Sequence, residues 1–449
     1  MKLSRCAVAC ALAFGAGSAL AQSTGSPVTA ETFIQLYGHL DLSGDYLTKG
    51  IEPGQKNPGG TVAVGKLGWQ ADISSNLSYF GIRGGGELTP ALRGVFQLET
   101  QVDVSATPGP SISSSSSDTS VKGAFVSRNS FLGIAGGWGA LKLGKTDAPY
   151  KLSTARMDPF SATIGDYNSI MGNTGGDNRA EFDTRLSHAV WYESPNMGGF
   201  RVNVLYAPGQ NRSSDNSIVA SGEPNCTGGN TPTLLNPGAV TSTPGSCNDG
   251  SFGDAISIAG LYEAGPLYLI AAFERHSKVN RTGDEAPPSP PAGAVGISDE
   301  KAFKVGVQYA FPTNTTVNLI VERMTRDAPA PNPDFNERQR SGFWLAATQR
   351  IGAKDDVNIG WAHAGKTPGD PGAGSIDNKA DMLSLGYKHH FDKQANWYAV
   401  YAQQNNHVGA HYDLGASGHG ITTDCHDANG NCFPGTKLKG ISIGMQYNF

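Results

Sequence analysis

The chain has 449 residues, a formal net charge of −5 and 16% charged residues, with 59 glycines and 38% hydrophobic residues. This modest acidity disfavours a nucleic-acid partner, which would need basic patches. Long helical patterns are scarce, and turn residues recur about every ten positions, so the composition indicates many short strands.

Residues 1–21 have the pattern of a secretory signal peptide. Lys2 and Arg5 form a basic start, a short apolar core follows, and a small-x-small cleavage site ends at Ala21. Cleavage there would leave residues 22–449 as a single domain. It would also change the net charge from −5 to −7, because two bases and no acid are lost. No later segment reaches the roughly 18 apolar residues that a membrane helix needs.

Alternation of apolar and polar residues recurs from the first strand to the last. The final segment, "GISIGMQYNF" (440–449), sets Ile441, Ile443 and Met445 on one face against Ser442 and Gln446 on the other. About sixteen such strands are predicted, near residues 33–45, 75–87, 91–104, 124–136, 139–146, 183–193, 199–207, 253–263, 266–276, 301–311, 314–325, 340–350, 355–364, 379–391, 395–404 and 438–449.

Short and long connections alternate between these strands. Tight turns are predicted at 88–90, 136–139, 194–198, 263–266 and 311–314, and long polar segments at 46–74, 105–123, 147–182, 208–252, 277–300, 326–339, 365–378 and 405–437. This rhythm is typical of a transmembrane β-barrel with tight periplasmic turns and long external loops. A secreted β-sandwich is the alternative, but polar faces that carry Arg93, Glu99 and Lys304 favour a wet lumen.

The predicted fold class is therefore all-β: a 16-stranded antiparallel transmembrane β-barrel. Lipid offers no water to satisfy an open sheet edge, so the last strand must pair with the first, "FIQLYGHLDLSG" (33–44).

Four cysteines remain after the signal peptide, and they form two close pairs. An even number in an exported chain predicts disulfides. Each pair lies within one polar segment, so we expect the local bridges Cys226–Cys247 and Cys425–Cys432. The histidines near the second pair fit no standard zinc spacing, so neither a metal nor another cofactor is expected.

Several segments carry a family resemblance: "SYFGIRGGGEL" (78–88), "LRGVFQLET" (92–100), "RNSFLGIAGGWGALKLGK" (128–145), "AVWYESPNMGGFRVNVLY" (189–206) and the terminal "GMQYNF". In this order they resemble the general, non-specific porins of Gram-negative outer membranes, of the beta-proteobacterial type. The resemblance implies a homotrimer of barrels among outer-membrane lipid and lipopolysaccharide. It also implies a third external loop, about 146–182 here, that folds inward and constricts the pore.

The resemblance also implies which charges line the constriction. Candidate wall bases are Arg83, Arg93, Arg128 and Lys145, and candidate loop acids are Asp158 and Asp166, with Asp177 and Glu181 as further acids. Facing charges would orient dipolar solutes and set ion preference. Eight bases against six acids between residues 121 and 185 favour anions.

Two positions depart from the family pattern. Tyr79 stands where family members often carry an arginine, and Asp158-Pro159-Phe160 stands where Pro-Glu-Phe is usual. The charge pattern of the constriction therefore cannot be transferred whole.

The predicted function is passive diffusion of ions and small hydrophilic solutes through a water-filled channel. One alternative is a substrate-selective channel with a saturable solute site. The other is an adhesin or receptor barrel that acts through the long loops 208–252 and 405–437. No Ser-His-Asp constellation lies in a recognisable elbow, so neither catalytic residues nor an enzyme are expected.

Overall fold

The computed structural model describes residues 32–102, 104–105, 128–172, 182–208, 254–280, 297–327, 339–366, 377–415, 419 and 425–449. The described strands form one antiparallel sheet. They are β1 (Phe33–Thr48), β2 (Gln70–Ser75), β3 (Tyr79–Thr89), β4 (Leu92–Gln101), β5 (Ser130–Gly136), β6 (Gly139–Asp147), β7 (Arg185–Glu193), β8 (Phe200–Pro208), β9 (Asp254–Ala264), β10 (Leu267–Asn280), β11 (Ile297–Ala310), β12 (Thr315–Asp327), β13 (Arg340–Ile351), β14 (Asp355–Ala364), β15 (Ala380–His390), β16 (Ala395–Asn406) and β17 (Lys437–Asn448).

Helical structure in the described part is confined to the connection between β6 and β7. It comprises α1 (Pro149–Thr154) and two short 3-10 segments, Ala155–Met157 and Tyr167–Ser169. Among the described residues, no helix has the length and apolar character required to cross a membrane.

The sheet closes because β1 pairs with β17 on one side and with β2 and β3 on the other. β2 and β3 share one position beside β1, where β2 pairs with Leu42–Leu47 and β3 with Phe33–His39. Leu77 interrupts this strand with a φ of 55°, a left-handed conformation that breaks the pleat. The 17 segments therefore make a closed barrel of sixteen strands, which confirms the predicted fold class.

The two faces of each strand differ as the sequence predicts. On β17, Ser442 and Gln446 are buried, whereas Ile443 and Met445 are 59% and 51% exposed. On β1, Asp41 and Asp45 are likewise buried beside the exposed Tyr46. The apolar residues thus face outward and the polar residues face the inside of the barrel, the reverse of a soluble core.

The connections between the described strands alternate in length as predicted. Seven are short, at 90–91, 137–138, 194–199, 265–266, 311–314, 352–354 and 391–394. Eight are long, at 49–69, 102–129, 148–184, 209–253, 281–296, 328–339, 365–379 and 407–436. Because successive strands are antiparallel, the short turns share one rim and the long loops share the other. The second strand begins at Gln70, five residues before the predicted start, and the first long loop is shorter accordingly.

Aromatic side chains form a belt beside the short turns. Their ring centroids lie 4.4–6.4 Å apart in the pairs Phe200–Tyr262, Tyr309–Phe311, Tyr387–Trp397, Trp138–Tyr192 and Tyr447–Phe449. Rings with an apolar body and a polar tip are favoured at a membrane–water interface. The belt therefore marks where the apolar outer band ends.

A disulfide joins Cys425 and Cys432 in the long loop between β16 and β17, as predicted. The predicted partners Cys226 and Cys247 lie outside the described residues, and so does the predicted signal peptide, residues 1–21.

Candidate functional site

The connection between β6 and β7 makes hydrogen bonds to side chains of strands that follow it in the chain, among them β9, β10, β13 and β15. Tyr150 N donates to Ser257 Oγ of β9 at 2.9 Å, and Tyr268 of β10 donates its hydroxyl to Ser153 O at 2.9 Å. Trp344 Nε1 of β13 donates to Met157 O at 3.1 Å, and Ser384 Oγ of β15 donates to Gly165 O at 3.0 Å. All four strand residues belong to the buried, inward-facing set.

Apolar contacts fix the same connection. Phe160 lies 6.2 Å from Trp344 in an edge-to-face arrangement, and Tyr167 lies 5.8 Å from the same indole. A Cβ built on Gly386 would lie 2.8 Å from the Phe160 ring, so only glycine leaves room for that ring. The aromatic cluster binds the middle of the connection to β13 and β15.

Buried charges hold both ends of the connection. Lys304 of β11 pairs with Asp183 and donates to Thr154 Oγ1 at 2.7 Å. Glu322 of β12 accepts from Gly172 N at 2.9 Å and from the Tyr150 hydroxyl at 3.1 Å.

The Glu322 carboxylate also lies 3.3 Å from Arg340. That guanidinium in turn donates to Ile170 O. Buried charges persist only when they are paired and hydrogen-bonded, and each of these is.

A second network lies next to these charges, toward the long-loop rim. His276 contacts Glu300 at 2.7 Å and Glu274 at 3.0 Å, and Arg326 lies 3.2 Å from Glu300. Phe182, at the end of the connection, stacks on His276 at 4.9 Å. This network and the charges of Lys304, Glu322 and Arg340 form one inward-facing charged surface, which holds the connection.

Sequence reasoning did not single out this charged surface as a site. Its members share burial of at least 98% and an inward position: Glu274, His276, Glu300, Lys304, Glu322, Arg326 and Arg340. Their spacing could have identified them, because charges at alternate positions of otherwise apolar strands indicate side chains that line the interior of a barrel.

Two predicted wall bases, Arg83 and Arg128, meet in one cluster. Arg128 contacts Glu99 at 2.7 Å and lies 4.6 Å from the centre of the Tyr79 ring. Arg83 lies 4.8 Å from the centre of the Tyr37 ring, whose hydroxyl donates to Glu99 at 2.9 Å. Tyr79, at the family's arginine position, thus serves as the platform on which Arg128 stacks.

The other two predicted bases lie apart from this cluster. Arg93 is the second residue of β4, beside a short turn, and its guanidinium lies 4.9 Å from the Phe33 ring. Lys145 lies opposite Ser130 at a register shift, two positions after the outward-facing Leu143. β6 also directs Lys142 inward, which is 4% exposed and was not among the predicted wall bases.

The predicted loop acids, Asp158 and Asp166, are close together and buried. Asp158 accepts from Phe160 N at 3.0 Å, and Asp166 accepts from Ala162 N at 3.0 Å and Asn168 N at 2.9 Å. Burial, with the nearby charge of Asp166, holds the pKa of the Asp158 carboxyl well above its ordinary value.

These carboxylates bind amides of their own loop and so fix its path. The further candidates, Asp177 and Glu181, lie outside the described residues.

One group of potential metal ligands occurs in the described part. A ring nitrogen of His411 and the sulfurs of Cys425 and Cys432 lie within 4.8 Å of one another. Zinc binds thiolates, and both sulfurs are committed to the disulfide. With the disulfide formed, the group therefore offers a metal ion only the ring nitrogen of the histidine.

A closed 16-stranded barrel, apolar outside and charged inside, defines a β-barrel membrane protein of the channel-forming class. Comparison with known protein families identifies the kind of channel. The chain belongs to the Gram-negative porin family, whose model matches residues 7–409. It is an outer-membrane porin.

Relatives match over nearly the whole chain. Outer membrane porin protein 32 of Delftia acidovorans is 21% identical over 446 residues, covering 98% of this chain and 99% of that protein. An outer membrane porin of Bordetella pertussis is 22% identical over 394 residues, covering 84% and 90%.

Solved structures share the fold. The anion-selective porin from Comamonas acidovorans has a TM-score of 0.65 at 19% identity, covering 93% of this chain and all of that one. A trimer form of the outer membrane protein OmpT of Vibrio cholerae has a TM-score of 0.52 at 15% identity, covering 93% and 99%.

Proposed function

We propose that the protein lets ions and small hydrophilic solutes diffuse passively through a water-filled pore, and that it performs no catalysis. The observation that carries this proposal is the closed sixteen-strand barrel with its polar side chains turned inward. Barrels of sixteen to eighteen strands leave an aqueous channel. Fixed charges along such a channel set its ion preference.

We further propose that the connection between β6 and β7, about residues 146–182, is the constriction loop of this pore. Its hydrogen bonds to β9, β10, β13 and β15 support this role, because a segment bound to inward-facing side chains occupies part of the lumen. In this proposal the remaining passage lies toward β3–β6 and the part of β1 that pairs with β3, Phe33–His39, the side of the barrel that carries Arg83 and Arg128.

In this proposal Arg83 and Arg128 are the wall bases that favour anions, and Arg93 adds positive charge at the short-turn rim. Lys145 contributes nearer the long-loop rim. Asp158 and Asp166 are the acids of the constriction, and their main contribution is to fix the path of the loop through hydrogen bonds to its amides. The structural relative from Comamonas acidovorans is itself described as anion-selective.

We also propose that the protein is a homotrimer in outer-membrane lipid and lipopolysaccharide. Several highly exposed outward side chains support a packing surface on β1, β2, β5 and β6: Ile34 at 74%, Ile73 at 65%, Leu132 at 69% and Leu143 at 59%. Exposed apolar surface of this kind is covered either by lipid or by another subunit. The Vibrio cholerae relative has been solved in a trimer form.

Liposome swelling tests the proposal. Liposomes that contain the purified protein should swell in small sugars, and the rate should fall smoothly as the sugar grows. Swelling for a single sugar, with saturation, would instead favour a substrate-selective channel. No swelling at all, from a correctly folded barrel, would favour an adhesin or receptor.

A further inference from the structure

The long loop between β16 and β17 turns back toward the barrel interior. Ala410, Tyr412 and Leu414 are each at most 2% exposed. Asn406 Nδ2 donates to Tyr412 O at 2.8 Å, and Gly435 N donates to Ala410 O at 2.8 Å. These bonds hold the returning segment against the end of β16.

This segment meets the proposed constriction loop over the inner face of β17. A Cβ built on Gly440 would lie 2.2 Å from Leu47 of β1, 3.1 Å from Ile164 and 3.5 Å from Leu414. The wall, the connection between β6 and β7, and the last loop therefore converge at one glycine. Their side chains belong to one apolar cluster.

From the same loop, His419 inserts beside an acid of the wall. Its Nδ1 lies 2.6 Å from Oδ2 of Asp45 on β1, and the side chains are 1% and 0% exposed. Ser74 and Ser442 donate their hydroxyls to the same carboxylate, each at 2.6 Å. The Asp45 carboxylate is thus fully bonded, with the histidine as its counter-ion.

A second histidine of the loop provides a contrast. His407 contacts Asp377 at 2.9 Å, but these side chains are 42% and 48% exposed. Water and salt screen the charges of an exposed pair. In a buried pair, loss of one partner leaves the charge of the other uncompensated inside the barrel. Only the buried pair lies in position to alter the field within the barrel.

We propose that His419 is a specificity-determining residue of the pore: carried in by the last external loop, it neutralises Asp45 on the wall and so prevents the mouth from favouring cations. This inference rests on the proposed channel function. His419 acts on the permeating ion through the Asp45 charge and needs no contact with the solute.

The test measures reversal potential in a salt gradient for wild type, His419→Gln, His419→Lys and His407→Gln. His419→Gln leaves Asp45 uncompensated, so the cation-to-anion permeability ratio should rise by about twofold, the scale of one charge several ångströms from the ion path in water. His419→Lys keeps a cation and should retain the wild-type ratio. His407→Gln, the matched control on the exposed pair, should also leave it unchanged.

Equal ratios for His419→Gln and His407→Gln would overturn the inference, as would equal ratios for His419→Gln and His419→Lys, which would indicate a structural role only. Heat-modifiable migration on a gel checks folding. If His419→Gln does not fold, His419→Asn replaces it with the same expectation. Failure of every form to conduct would contradict the channel function, whereas conduction with unchanged ratios contradicts only the role of His419.

Discussion

Gly38 and Phe449 exchange two backbone hydrogen bonds across the seam of the barrel. Gly38 N donates to Phe449 O at 3.0 Å, and Phe449 N donates to Gly38 O at 3.1 Å. The phenyl ring of Phe449 also covers Gly38, because a Cβ built there would lie 2.3 Å from the ring. Since lipid cannot satisfy open strand edges, this seam is required for the barrel to exist in a membrane.

Gly38→Val should therefore destabilise the seam. The new side chain must displace the Phe449 ring, and overpacking of this kind costs about 1–3 kcal/mol. The temperature at which the folded band is lost on a heat-modifiability gel should fall. Gly44→Val is the matched control, because it lies on the same strand and its Cβ would meet nothing within 4 Å. Equal effects from the two substitutions would show that the ring contact is unimportant.

Arg83→Glu combined with Arg128→Glu should shift ion selectivity toward cations. Both side chains belong to the cluster around Tyr79 and Glu99, so the change reverses two charges at one place on the wall. The reversal potential in a salt gradient measures the shift. Arg323→Glu, an exposed residue of β12 on the outward face, is the control. An unmoved reversal potential in the double variant would contradict the placement of these two bases in the pore.

Glu322→Gln should loosen the proposed constriction loop. The substitution removes the charge opposite Arg340 while keeping the shape of the side chain, and breaking a buried ion pair costs about 3–5 kcal/mol. Single-channel conductance should rise and become noisier. Glu263→Gln breaks only partly exposed pairs with Arg156 and Arg201, which are worth about 0–1 kcal/mol, and serves as the control. A quiet, unchanged conductance in Glu322→Gln would show that this carboxylate does not anchor the loop.

The His419–Asp45 pair should make selectivity depend on pH. Burial acts to lower the pKa of His419, but the Asp45 charge outweighs it and the pKa is raised. The acidic groups whose charges act on this imidazole are Asp45, Asp41 and Asp166. A raised pKa gives stability that is present below the ordinary value of about 6.5 and is lost as pH rises through the raised value.

Wild type and His419→Gln should therefore differ in reversal potential at acidic and neutral pH and converge at alkaline pH, where both lack the imidazolium charge. The difference between the two curves isolates His419 from every other titrating group. Curves that stay parallel across the whole range would contradict this titration.

The strands and the direction of their faces could be predicted because they are local. Alternation over a few residues determines which side chains of a strand share a face, and Ile443 and Ser442 obey it. The alternation of turns and loops fixes the two rims for the same reason. The interruption at Leu77 was missed because a positive φ at leucine has no sequence signature.

The packing of the interior could not be read from the sequence because it joins distant positions. Lys304 and Asp183 are 121 residues apart, and Asp45 and His419 are 374 apart. Each contact depends on the register of several strands and on how a long loop returns. For Asp158 and Asp166, the residue types indicated charges in the loop. Only the folded structure shows that both are buried and bonded to amides of the same loop.

Single-channel recording in a planar bilayer tests the central claim most directly, namely that the closed barrel holds an open, water-filled path. The expected result is a current that is linear in voltage and a conductance that rises with salt concentration without saturating. A correctly folded barrel that carries no current, or one whose current saturates and is blocked by a single solute, would contradict it.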